Sequence, residues 1–152
     1  MAKIAALNDL IELNNDRVAG FEKAMQDIAD ENADLKELFQ RYSGQSRRFS
    51  AELNTLVAAV GGDIETGNTV TGTLHRVWID VKTLFGANDR LSILREAERG
   101  EDAIADAYNS VLSDGALGGE ALALVKEQAV AINNAHDEIK RLRDEADRSQ
   151  NA

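Results

Sequence analysis

The chain has 152 residues, 43% of them hydrophobic, with no cysteine, no proline and a formal net charge of −10. That length suits one domain over 1–152 whose core needs no staples, and without cysteine neither a disulfide framework nor a thiolate metal site can form. The acidic balance repels phosphate backbones and anionic lipid, so neither nucleic acid nor a membrane is expected as a partner.

The opening residues Met1-Ala2-Lys3-Ile4 lead directly into a polar periodic segment, unlike the apolar core of a signal peptide. No run approaches the roughly 18 apolar residues that cross a bilayer. A cytoplasmic protein is the resulting expectation. Alanine, leucine, glutamate and aspartate dominate, a composition that predicts helix rather than sheet.

The first predicted helix, A, spans about 4–30. Ile4, Leu7, Ile11, Val18, Phe21, Met25 and Ile28 recur at steps of three and four, and Asn14 fills the gap between Ile11 and Val18. Asp16, Glu22 and Glu31 fall outside this stripe and read as a solvated face. Helix B spans about 33–60, with Leu35, Leu38, Tyr42, Phe49, Leu53, Leu56 and Val60 as its stripe and polar Gln45 and Ser46 at its middle. Gly61-Gly62 supplies a helix stop.

A shorter periodic segment follows over 70–85, where Val70, Leu74, Val77, Val81 and Leu84 repeat the spacing. Trp78 reads as its anchor on the bundle or as part of a subunit interface. His75 reads as a solvated histidine, with ligand or pH-sensitive contact as the sharper alternative. Asp89 is a candidate N-cap for helix C, about 90–112, whose stripe is Leu91, Leu94, Glu98, Glu101, Ala105, Tyr108 and Leu112. Gly115, Gly118 and Gly119 mark a turn. Helix D then runs over about 120–146 with Leu122, Val125, Ala129, Ile132, His136, Ile139 and Leu142 on one face.

Four long helices and one long connection predict an all-α, up-down-down-up bundle with a short extra helix in the crossover between B and C. A helix over 70–85 covers about 24 Å, which with its turns carries the chain to the other end of a bundle roughly 35–40 Å long. On this frame Asn14, Gln45, Glu98, Glu101 and His136 lie within roughly 9 Å of one height. These groups could satisfy one another as a layer that fixes helix register. Glu98, Glu101 and His136 could instead ligate iron, manganese or zinc, with Asn14 and Gln45 as polar neighbours.

Leu7-Asn8-Asp9-Leu10-Ile11, Leu74-His75-Arg76-Val77-Trp78-Ile79-Asp80, Glu98-Arg99-Gly100-Glu101-Asp102 and Ala135-His136-Asp137-Glu138-Ile139 resemble a bacterial family of small ferritin-like four-helix proteins of unassigned function. The resemblance covers essentially the whole chain and implies the ferritin-like fold, but no reaction. The wider superfamily holds two irons with glutamates and Glu-x-x-His motifs. Here helix A offers Asn14 and Val18, helix B offers Ser46-x-x-Phe49, and helix D offers Asn133-x-x-His136. Only Glu98, Glu101 and His136 remain, so a di-iron oxidase is not expected.

Elsewhere the chemistry is sparse. Arg47-Arg48 is too short for a nucleic-acid patch, the paired glycines lack a phosphate-loop context, and no serine, histidine and acid form a nucleophilic set. The sequence therefore predicts a non-catalytic ferritin-like structural or interaction protein, self-associating as a dimer, with no cofactor. The alternative is a degenerate ferritin-like binder of one weakly held metal ion, linked to stress by analogy with the family alone.

Overall fold

In the computed structural model, residues 2–28, 30–59 and 90–151 are described. They form four long helices: α1 (Ala2–Asp27), α2 (Ala33–Ala59), α3 (Arg90–Asp114) and α4 (Gly119–Asn151). A 3₁₀ turn, Asp30–Asn32, joins α1 to α2. No strand occurs among the described residues. The predicted crossover helix over 70–85, with His75 and Trp78, lies outside the described residues.

The long helices fall where the periodicity places them. α4 continues five residues past the predicted end at 146; Ala146 is the last buried side chain of its stripe, and the polar sequence beyond it extends the helix past the core. The α3–α4 turn is sharp because Gly115 and Gly119 take positive φ values of 79° and 56°, a region that costs a side-chain-bearing residue far more. Asp114 adds to the stop by accepting a hydrogen bond from the Ala116 amide at 2.9 Å.

Side-chain pairs give the helix directions. Asn14 and Arg17 of α1 meet Tyr108 and Glu101 of α3, so a rise along one is a fall along the other. Ser46 and Ser50 of α2 meet Arg17 and the Ile11 carbonyl of α1 in the same inverted order. Asp102 and Glu98 of α3 meet His136 and Arg143 of α4. Arg90, at the start of α3, reaches Asn32 of the 3₁₀ turn and Asp34 at the start of α2, with 3.0 and 2.8 Å bonds to the two Asp34 oxygens. Helices α2 and α3 therefore begin at the same end and run parallel, the predicted up-down-down-up order. The Arg90 guanidinium holds the Asp34 carboxyl below its ordinary range.

The helices share one apolar core. Leu7, Phe21, Leu35, Phe39, Leu53, Leu94, Ile104, Val125, Ile132 and Ile139 are fully or nearly fully buried within it. Phe21 packs on Phe39 and Tyr42 with ring centroids 4.9 and 5.7 Å apart. Each such side chain contributes about 1.5–3 kcal/mol relative to exposure. The face shared by α1 and α3 is buried beyond the main stripe as well: Asp16, Ile93 and Glu96 are all inaccessible or nearly so. Asp16 thus departs from the solvated role expected of it, whereas Glu22 and Glu31 keep theirs, Glu22 pairing with Arg47 at the surface.

Candidate functional site

The centre of the bundle is polar and is organised by Arg17. The core-facing positions of α1 run Leu7, Leu10, Ile11, Asn14, Arg17, Phe21 and Ala24. This pattern puts Arg17 on the core face and leaves Val18 at its margin. Arg17 is fully buried, and so is its counter-charge, Glu101 of α3. Arg17 Nε donates to Glu101 Oε1 and its Nη2 to Oε2, both at 2.8 Å. This two-pronged contact matches a planar guanidinium to a planar carboxylate. The remaining nitrogen, Nη1, donates to Gln45 Oε1 at 2.8 Å and to Ser46 Oγ at 2.9 Å. Phe21 and Tyr42 lie 5.4 and 5.3 Å from the guanidinium carbon, within cation–π range. Burial pushes the Tyr42 phenol up to about 12, with the Glu138 and Glu101 carboxylates reinforcing the shift, so that ring is neutral beside the cation.

From Arg17 a continuous line of hydrogen bonds crosses the bundle. Ser46 Oγ donates to Asn14 Oδ1, and Asn14 Nδ2 donates to Tyr108 Oη, each at 2.8 Å. Tyr108 Oη then donates to Gln128 Oε1 at 2.7 Å, and Gln128 Nε2 donates to Glu52 Oε1 at 3.1 Å. Every bond points the same way, from a group that can only donate to one that, ionised, can only accept. Bonds aligned in this sense polarise and strengthen one another. Burial raises the pKa of Tyr108 far above the ordinary phenol value, so its hydroxyl stays a donor. All four long helices contribute a member.

Of the five residues predicted for this layer, Asn14 and Glu101 are fully buried and Gln45 is partly buried. Glu98 and His136 sit instead on the seam between α3 and α4. Ala97 and Ala135 occupy the neighbouring core positions, and this one-residue change of phase turns the longer polar side chains toward the edge. Glu98 accepts from Arg143 Nη1 at 2.8 Å, and its side chain is only 13% exposed. His136 contacts Asp102 through Nε2 and Asp137 through Nδ1.

The trio Glu98, Glu101 and His136 is therefore divided among separate partners, Arg143, Arg17, and Asp102 with Asp137. No group of three or more histidine, aspartate or glutamate side chains among the described residues is arranged to hold a metal. The residues do not fit the di-iron centre of the ferritin-like superfamily: a guanidinium already lies beside the central carboxylate, where an added metal cation would be repelled. Arg17, Tyr108 and Gln128 complete the network, and sequence reasoning assigned them no such part. The available signal was spacing, since Arg17 stands three residues after Asn14 and four before Phe21.

His136 gives a pH-dependent contact between α3 and α4. Burial lowers its pKa, but the hydrogen bonds to Asp137 and Asp102 outweigh that effect and raise it above 6.5. Because the folded value exceeds the unfolded one, the contact stabilises fully below the unfolded pKa and is lost as pH rises through the folded pKa. The melting-temperature advantage of the native chain over His136→Gln is expected to be greatest near about pH 5.5 and to shrink by about pH 8. An advantage that is constant or grows with pH would contradict this assignment.

Helix order and centre together define the class: an all-α four-helix bundle closed around an internal ion pair. The chain belongs to the family described as "Domain of unknown function (DUF2383)", which it matches over residues 2–114. That stretch reaches the end of α3 and so includes Arg17 and Glu101, while Gln128, His136 and Arg143 lie beyond it. No curated protein matches the chain. No helix among the described residues is long and apolar enough to cross a membrane.

Proposed function

We propose that this is a non-catalytic structural or interaction protein, ferritin-like in its helix order, whose polar centre is architectural and whose role is exerted through its surface. The observation supporting the reading is the Arg17–Glu101 pair: both side chains are fully buried, and both carboxylate oxygens are engaged by one guanidinium. A buried site for substrate chemistry needs a group free to act, whereas this carboxylate is already neutralised and hydrogen-bonded. Holding one iron, manganese or zinc ion on Glu98, Glu101 and His136 would require breaking the contacts to Arg143, Arg17 and Asp102.

The test is to incubate the full chain separately with Fe(II), Mn(II) and Zn(II), desalt it, and measure metal by elemental analysis. The expected result is well below stoichiometric metal, unchanged in His136→Leu. One ion per chain that is lost on changing His136 would overturn the reading in favour of the metal binder.

A further inference from the structure

The two broad faces of the bundle differ. On the α1–α3 face Asp16, Ile93 and Glu96 are buried. On the opposite face α2 and α4 approach closely over only a short stretch, and a groove opens between them toward either end. Near the start of α4 the groove measures about 410 Å³ and is lined by Leu56, Ala123 and Leu124 together with Glu52, Glu120 and Glu127. Its lining contains no basic side chain. Toward the other end the opening is lined by Leu38 and Leu142 beside Asp34, Glu37 and Glu138, with Arg41 as the single cation of that lining.

Spacing makes this more than a scatter of acids. Glu120 and Glu127 are seven residues apart on α4, two turns or about 10.5 Å along one line, with Leu124 between them. On α2, Glu52 and Leu56 are one turn apart. Glu52 is also held in place from within, because Gln128 Nε2 donates to its Oε1. The groove thus presents leucines interleaved with carboxylates along both helices, one of the carboxylates positioned by the buried network.

We infer that the α2–α4 groove docks an amphipathic helical segment of a partner protein, with leucine-like residues along one stripe and lysine or arginine beside it at seven-residue spacing. Such a helix places its apolar stripe on Leu56 and Leu124 and its cations on Glu52, Glu120 and Glu127. A second copy of this chain fits poorly. A two-fold axis along the groove would set these carboxylates against themselves, and an axis across it would set them against the net-negative far end. The inference rests on the reading that the protein works through its surface, and it adds the chemistry of the partner.

The experiment titrates the isotopically labelled full chain with a helical peptide of about 20 residues carrying a leucine stripe flanked by lysines. A control peptide has glutamate in place of each lysine. The lysine peptide is expected to bind, with amide shifts centred on Glu52, Leu56, Leu124 and Glu127. Raising salt from about 0.05 to about 0.5 M should weaken binding, since exposed charge pairs are screened. The double change Glu120→Lys/Glu127→Lys, at two exposed positions, should weaken it at least about tenfold while circular dichroism remains unchanged.

Equal binding of both peptides, no binding of either, or shifts on another face would overturn the inference. So would sedimentation showing that the chain dimerises through this groove and that the double change dissociates the dimer. The metal-loading result is independent of all these outcomes. A failed titration beside a metal-free chain removes the groove alone, whereas stoichiometric metal removes the non-catalytic reading itself.

Discussion

Glu101→Leu is expected to lower the unfolding free energy by about 3–5 kcal/mol, whereas Arg17→Met/Glu101→Leu leaves it unchanged or raises it by about 1–4 kcal/mol. The single change strands a guanidinium in the core with only the neutral oxygens of Gln45 and Ser46 as acceptors. Desolvation of that cation is then uncompensated. The double change removes both charges together. Ser46 still donates to Asn14, and Gln45, only partly buried, can turn to water. Urea unfolding of the native chain, both single variants and the double variant gives the coupling directly. A double variant as unstable as Glu101→Leu would show that the pair is not the source of the cost.

The second large effect is expected at Phe21. Phe21→Ala should cost about 3–5 kcal/mol, the range for truncating a buried aromatic ring. The ring is fully buried, packs on Phe39 and Tyr42, and forms one wall over the Arg17 guanidinium. Its loss removes apolar burial and opens a path for water toward the cation. Hydrogen exchange at Arg17 Nε–H, followed by NMR, should therefore accelerate in Phe21→Ala. Phe21→Leu, which keeps most of the wall, should be milder in both respects. Loss of stability without faster exchange would mean that the ring supports the core but does not shield the guanidinium.

The helices and their order were legible because the apolar residues recur at helical spacing and the glycines stand where α3 ends. The polar centre was only half legible. Asn14 and Glu101 interrupt otherwise apolar stripes, and their chemistry marks them. Arg17 was missed because Val18 beside it is apolar, and an arginine is rarely placed in a core unless its partner is already known. That partner lies 84 residues away in the chain, and no local pattern links them. The same one-residue ambiguity put Glu98 and His136 in the stripe in place of Ala97 and Ala135. Gln128 continues the spacing from Val125 to Ile132, yet its part in the network depends on Tyr108 and Glu52, both contributed by other helices.

Placing the cation on α1 and its counter-charge on α3 has a consequence for assembly. The α1–α2 hairpin pairs locally, but closing over Arg17 before α3 arrives would enclose a bare positive charge. The α3–α4 hairpin faces the mirror difficulty with Glu101. Each half therefore holds a charge that only the other can neutralise, so two contiguous hairpins that could have been independent folding units are obliged to reach their dry state together.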